Sequence, residues 1–309
     1  MGFFEPTPSA DGKKIFVYGS RNRGELQRFD PKTKQFLPFL SGISVEGVDF
    51  SRDGQWVVYV TMPGGILWRS KVDGSQRLQL SFGSSMAALP RWSPDDRSVA
   101  FMSGLQSKTG TMQQWKIYVV PFDGGSPQAL ISTGAYRNET DPNWSPDGDS
   151  ILFAGEAQDS ESRPESNAIY MINRRIGKVE KLPSSEGIVS PRWSPDGQYI
   201  AAQSADQTKL LLFEMKTQMW KELGRWSPDN LNWSRDSRFI YMDIDVSGEK
   251  FLARLQIANH KLEKLFSLQA THRLYGFLGP WMGLDHDNNP MYLRDVGILE
   301  IFALDVELP

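Results

Sequence analysis

One short string recurs along this chain and constrains it more than any other feature. Six segments share an aromatic or small residue, then Ser, then Pro, Arg or Ala, then Asp, then a small or polar residue: Pro8–Gly12, Phe50–Gly54, Trp92–Asp96, Trp144–Gly148, Trp193–Gly197 and Trp233–Ser237. Their aspartates, Asp11, Asp53, Asp95, Asp147, Asp196 and Asp236, are spaced 42, 42, 52, 49 and 40 residues apart. A degenerate seventh unit follows at Trp281–Asp287, its aspartate 51 residues after Asp236. A period in this range marks a supersecondary unit that cannot bury a core alone and must stack on its neighbours.

Each unit repeats one internal grammar. In Ser-Pro-Asp-Gly, Pro presets φ, Asp bonds the local backbone and Gly accepts the closing geometry, so the string reads as a tight turn. Short apolar or alternating strands follow it, as in Trp56–Val60, Ser98–Met102, Ile151–Ala154 and Phe239–Met242. A third strand comes next, as in Trp115–Val120 and Ala168–Ile172, and then a second turn and a short fourth strand, as in Arg77–Leu80. No segment keeps a helical period over three turns, so the chain reads as all-β. Four-stranded antiparallel blades stacked radially make a β-propeller, one domain over residues 1–309 with repeats beginning near 5, 47, 89, 141, 190, 230 and 280. Seven motif aspartates favour seven blades, the last closed by an N-terminal strand at Met1 to Glu5; six blades with an appended terminal hairpin is the alternative. The repeated Trp92, Trp144, Trp193 and Trp233 are expected between blades, where burying one ring stabilises by about 2–3 kcal/mol.

The Trp-Ser-Pro-Asp-Gly units resemble those of TolB-like propellers, which are WD-repeat-like and recur in dipeptidyl-peptidase and oligogalacturonate-lyase propellers. The resemblance covers essentially the whole chain. Arg23–Asp30 and Leu293–Gly297 are similar to segments of propellers that end multidomain bacterial regulatory proteins. That likeness implies a sensing or protein-binding module, and an extracytoplasmic setting. The alternative it implies is an envelope scaffold that docks partner peptides.

Composition removes several classes of function. With 34 Lys and Arg against 37 Asp and Glu there is no excess of positive charge for a nucleic-acid face. The absence of cysteine excludes disulfides, Cys-ligated zinc and thiol catalysis. No apolar stretch reaches the ~18 residues of a membrane span. The opening residues lack a signal-peptide pattern, and the repeats begin almost at once, as in a piece of a longer protein.

Candidate binding residues fall in two groups. Asp49, Arg91, Asn143, Arg192 and Asn232 stand just before the motif aromatic, on first strands that face the central channel. They read as a polar ring for an anionic or peptide ligand, with the arginines as carboxylate forks, or as interblade bonds. Arg137, Glu139 and Asp141 lie on the face opposite the motif turns, with two long polar loops, Ser103 to Gln114 and Gly155 to Asn167. The expected partner is a protein or peptide, with a small ligand as the other option, and the expected state is a monomer.

No enzyme is expected. The nucleophile elbow Gly-x-Ser-x-Gly is missing, Gly83–Ala87 being the nearest string. The three histidines, His260, His272 and His286, all fall in the last two units. Asp285–Asn289 looks like a calcium loop but has Val296 at the twelfth position, where a bidentate Glu belongs. No metal or cofactor is therefore expected.

Overall fold

A computed structural model describes residues 2–106, 112–158, 160 and 163–305. Six four-stranded antiparallel sheets form a ring of blades around a channel. Blade 1 comprises Val45–Phe50, Trp56–Thr61, Leu67–Lys71 and Leu78–Gln79. Blade 2 comprises Met86–Trp92, Ser98–Gln106, Met112–Pro121 and Gln128–Ala129. Blade 3 comprises Tyr136–Trp144, Ser150–Ala157, Asn167–Asn173 and Lys178–Lys181, and blade 4 Ile188–Trp193, Tyr199–Ser204, Leu210–Glu214 and Met219–Gly224. Blade 5 comprises Asp229–Trp233, Phe239–Val246, Glu249–Gln256 and Leu262–Ser267. Blade 6 joins the two ends of the chain: Met282–Leu284 and Pro290–Asp295 pair with Gly24–Asp30 and Gln35–Pro38. The first strands touch in closed order from blade 1 to blade 6 and back.

The strands that seal the ring are thus Gly24–Asp30 and Gln35–Pro38, not Met1 to Glu5, of which Met1 lies outside the described residues. Seven motif units sort into six blades and one separate sheet. The unit at Asp11 supplies Gly2–Pro8 and Lys14–Arg21, which pair with Ile298–Asp305 in a three-stranded sheet beside the ring. Phe16, Tyr18, Leu299 and Ile301 on this sheet are exposed, whereas second strands of the blades such as Trp56–Thr61 and Ser150–Ala157 bury both faces.

Packing explains why the units must stack. One hydrophobic cluster fills every junction between neighbouring blades: Val58 and Leu67 of blade 1 meet Trp92 and Phe101 of blade 2, and Ala100 of blade 2 meets Trp144 and Ile151 of blade 3. Leu152 meets Phe213 across the third junction, and Leu212 meets Ile240 across the fourth. At the fifth, Leu252 meets Met282, and Phe266 sits 4.7 Å from the ring of Phe29 and 5.4 Å from that of Phe36. At the sixth, Leu26 and Leu293 of blade 6 pack on Val45 and Tyr59 of blade 1. The motif tryptophans pack between blades as expected, and three of them also bond across junctions through their ring N–H. Trp92 Nε1 donates to Asp49 O at 3.1 Å, Trp144 Nε1 to Arg91 O at 3.1 Å, and Trp233 Nε1 to Arg192 O at 2.8 Å. Trp193 departs from the pattern and bonds locally to Gly197 O.

Hydrogen bonding gives the motif its chemistry. In blade 4, Ser194 Oγ donates to Asp196 Oδ1 at 2.6 Å and accepts from Tyr199 N at 2.9 Å, while Gly197 N closes the turn on Ser194 O. The same Ser–Asp bond recurs at Ser9, Ser51, Ser93, Ser145 and Ser234. It holds the carboxyls of Asp11, Asp53, Asp95, Asp147 and Asp236 below the usual carboxylate range. In blade 6 Asp287 keeps the aspartate position, and the change is at the Ser position two residues before it. Asp285 takes the Ser position, accepting from Asp287 N at 2.9 Å and Asn289 N at 2.7 Å, so the calcium-like string is a turn. The closing residue sits at positive φ, 75° at Gly197, and three blades place a side chain there that clasps the preceding blade. Asp96 accepts from Arg52 N at 2.7 Å, Ser237 from Asp196 N at 3.0 Å and Asn288 from Arg235 N at 2.9 Å.

Ser194 is fully buried, so Ser194→Ala should destabilise by about 1–3 kcal/mol by leaving Tyr199 N and Asp196 without their partner. The same change at solvent-facing Ser9 should cost under about 0.5 kcal/mol. Denaturant unfolding followed by tryptophan fluorescence compares the two directly.

Candidate functional site: the channel well

Where the first strands converge, the motif-turn face opens into a well of about 480 Å³. Its wall carries Trp92, Trp144, Trp193 and Trp233 with Pro94, Pro146 and Pro195, and its depth holds Asp49, Arg91, Asn143 and Asn232. Charge is unevenly placed. Arg52, Arg91 and Arg235 with Asp49, Asp96 and Asp285 line the side of blades 5, 6, 1 and 2, while blades 3 and 4 give a neutral, aromatic side.

A repeated bulge aims these residues inward. Two positions before each ring residue stands one at positive φ: Gly47, Leu89, Asp141, Ser190 and Asn230. The strand register slips in the same places. An extra residue in one strand bends it and redirects the next side chains, which turns the ring residues toward the channel axis.

Most of the expected binding residues are spent on holding the blades together. Asp49 Oδ2 accepts from Trp92 N at 2.7 Å, Asn143 Oδ1 from Trp193 N at 2.6 Å, and Asn232 Nδ2 donates to Asn230 O at 2.7 Å. Burial raises the Asp49 carboxyl above its ordinary value. Arg192 Nε donates to Leu231 O at 3.1 Å, and its Nη1 stands 2.7 Å from Asp141 Oδ1, a contact of charge without hydrogen-bond alignment. Glu139 is fully buried, 3.0 Å from Lys116 Nζ of blade 2, and burial raises its pKa. Arg137 pairs with Glu156 at 2.9 Å and donates to Ser160 O at 2.8 Å. The structure therefore does not bring Arg137, Glu139 and Asp141 together as an open patch. Of the long loops beside them, residues 107–111, 159, 161 and 162 lie outside the described residues.

Arg91 is different. Of its five N–H donors only one has a protein acceptor among the described residues, Nη1 to Pro90 O at 3.1 Å. Burial, and after it the neighbouring Arg192 charge, lower its pKa, with Asp49 and Asp141 opposing. Asn143 is fixed by its bond to Trp193 N, which settles which end of the amide is oxygen and leaves its NH₂ in the well. The acids of the well are already served: Asp49 by Trp92 N, Asp96 by Arg52 N and Asp285 by its own turn. Beside these acids the well offers the spare donors of Arg91 and the Asn143 NH₂.

The sequence reading missed the mouth residues Arg52, Asp96, Arg235 and Asp285. A signal existed: Arg52 and Arg235 stand where three other repeats hold Pro, and Arg235 reaches to Arg52 O and Ser51 O of blade 1. Among the described residues no group of three or more His, Cys, Asp and Glu is placed to hold a metal, and no helix is long and apolar enough to cross a membrane.

Comparison with known proteins agrees with this architecture. A family model described as the TolB beta propeller domain matches residues 49–273. The chain belongs to the TolB β-propeller domain family. It is 30% identical over 160 residues to an uncharacterised protein of Agrobacterium fabrum, covering 49% of this chain and 52% of that one. It is 24% identical over 165 residues to YuxL of Bacillus subtilis, named an uncharacterised peptidase, covering 43% of this chain and 24% of that one. The match thus spans about half of one relative and a quarter of the other. A structure assigned as TolB from Agrobacterium tumefaciens superposes with a TM-score of 0.67 at 19% identity, covering 89% of this TolB-type propeller and 99% of that chain. At that identity the likeness concerns the fold.

The far end of the channel holds a buried acid, Glu46, whose pKa burial raises to about 7, opposed only by the N–H of Phe277. Since the folded value lies above 4.5, Glu46 contributes full stability below about pH 4.5 and loses it as pH rises through 7. Asp243, raised to about 6 by burial despite Arg273, acts in the same direction over a lower window. The stability of Glu46→Gln relative to wild type should therefore climb between pH 5 and 7, by at most about 1.4 kcal/mol per pH unit. Denaturant titrations at each pH give that difference, in which the Asp243 contribution cancels.

Proposed function

We propose that this propeller is a non-catalytic binding module, which holds an acidic, oxyanion-bearing segment of a protein partner in the motif-face well. The observation that carries this reading is Arg91: a half-buried guanidinium with four donors that meet no protein acceptor among the described residues, beside the free NH₂ of Asn143. A carboxylate accepts two parallel bonds from such a fork, and the bonds gain strength in a site shielded from water. Of the motif tryptophans on its wall, the half-buried Trp193 and Trp233 give flat, rigid contact area, as binding surfaces commonly do. On this reading the module serves as the interaction domain of a larger bacterial regulatory protein, or as an envelope scaffold; both use the same well.

The peptidase name of YuxL motivates a second reading, in which the propeller belongs to a hydrolase. Peptidase assays on the full-length gene product separate the two, because a binding module leaves peptide substrates intact.

Capture of a partner should fall at least ten-fold in Arg91→Gln and stay unchanged in Asp149→Asn, a surface change on the outer side of blade 3. Quantitative pull-down against the same lysate, with thermal unfolding as a fold control, reads both. Retention by folded Arg91→Gln would remove the well as the site.

A further inference from the structure

The channel does not run through the molecule. The hairpin formed by Tyr275–Gly276 and Gly279–Pro280 closes its far end. Leu278 and Gly279 enclose a cavity of only about 30 Å³ together with Gly47, Leu89, Asn230 and Trp281. Those residues come from the first strands of blades 1, 2 and 5 and from the entry to blade 6. Blades 2 and 5 are opposite each other in a ring of six, so the hairpin spans the channel. Side chains pin it there. Pro280 O accepts from Asn230 Nδ2 at 2.9 Å and from Arg273 Nη2 at 2.8 Å, and Arg273 is held by Asp243 at 2.6 Å. Gly276 lies so close to the Glu46 carboxyl that a Cβ would collide with it. On the side of blades 3 and 4, the Asp141–Arg192 pair occupies the same level.

This floor lies two residues along the strands from the ring residues, roughly 7 Å below Arg91. The well is therefore blind, with its unspent donors near the bottom. A segment from the middle of a chain would have to enter and leave by one mouth, as a loop two strands wide. A chain end enters singly, and a C-terminus brings the one backbone group that is a carboxylate. Arg91 and the Asn143 NH₂ meet that carboxylate, the half-buried Trp193 and Trp233 of the wall take the preceding side chains, and Arg52 is exposed at the mouth.

Building on the binding reading above, we infer that the ligand of this well is the free C-terminus of a polypeptide, its terminal carboxylate seated on Arg91.

The test uses two matched random hexapeptide libraries on beads, one presenting a free C-terminal acid and the other the C-terminal amide. Both are screened with the 309-residue protein, and binders are resynthesised in both forms for fluorescence polarisation. The expected result is binders from the free-acid library, including some without acidic side chains, weakened at least ten-fold by amidation. Arg91→Gln should abolish that binding. Asn143→Asp, which keeps the acceptor for Trp193 N and replaces the NH₂ with a negative charge, should abolish it as well. Thermal unfolding of each variant establishes that it is folded. Binders that carry internal Asp or Glu, tolerate amidation and are lost in Arg91→Gln would overturn the chain-end inference and leave the binding reading standing. Binders indifferent to Arg91→Gln and Asn143→Asp, or no binders in either library, would overturn both.

Discussion

Ring closure is the constraint on which everything else in this molecule depends. No blade buries its own faces, so each of the six hydrophobic clusters exists only because another blade stands beside it. An open ring would leave Leu26, Met291 and Leu293 on one edge and Val45, Val57 and Tyr59 on the other exposed to water. Closure is made by pairing Pro290–Asp295 with Gly24–Asp30, strands from opposite ends of the chain, with Leu293 facing Leu26 in register. The entropy of bringing those ends together is offset by two junction cores at once, that between blades 5 and 6 and that between blades 6 and 1.

The well follows from the same closure. Six first strands cannot meet at the axis without leaving a channel, and the polar groups that line it must find partners or remain solvated. Most of them find partners in the neighbouring blade: Asp49 with Trp92 N, Asn143 with Trp193 N, Arg192 with Asp141 and Leu231 O, Glu139 with Lys116. These bonds align the blades and take the residues out of play for a ligand. Arg91 and the Asn143 NH₂ are what the architecture leaves over. The proposed binding function rests on that remainder and not on the ring as a whole.

Two charged layers act on different ends of the channel. On the motif face Arg52, Arg235 and Asp96 line one side of the open mouth together with the buried Asp285. At the hairpin end Glu46 and Asp243 are buried beneath the Tyr275–Pro280 hairpin, and burial raises both pKa values toward neutrality. The bonds of the plug, Arg273 to Asp243 and Arg273 to Pro280 O, thus include a carboxyl whose pKa burial raises to about 6.

The sequence by itself determined the blade. Ser, Asp and a residue tolerant of positive φ make the turn locally, within six residues, and the strands on either side follow from alternation and β-branched content. That is why the motif turns, the all-β class and the interblade tryptophans were legible. Identical strings nevertheless part company in space: Trp226–Asp229 repeats Trp-Ser-Pro-Asp, yet it leads into the first strand of blade 5 and makes no motif turn, because Asn230 carries a channel bulge instead of a turn closure. Tertiary structure alone decided which strands seal the ring, that the Asp11 unit stands apart from it, and which polar ring residues are consumed. Strand pairing between residues more than 260 apart, and a guanidinium's surplus of donors, depend on what lies across a junction. Sequence spacing carries no record of that, because partners across a junction belong to different repeats.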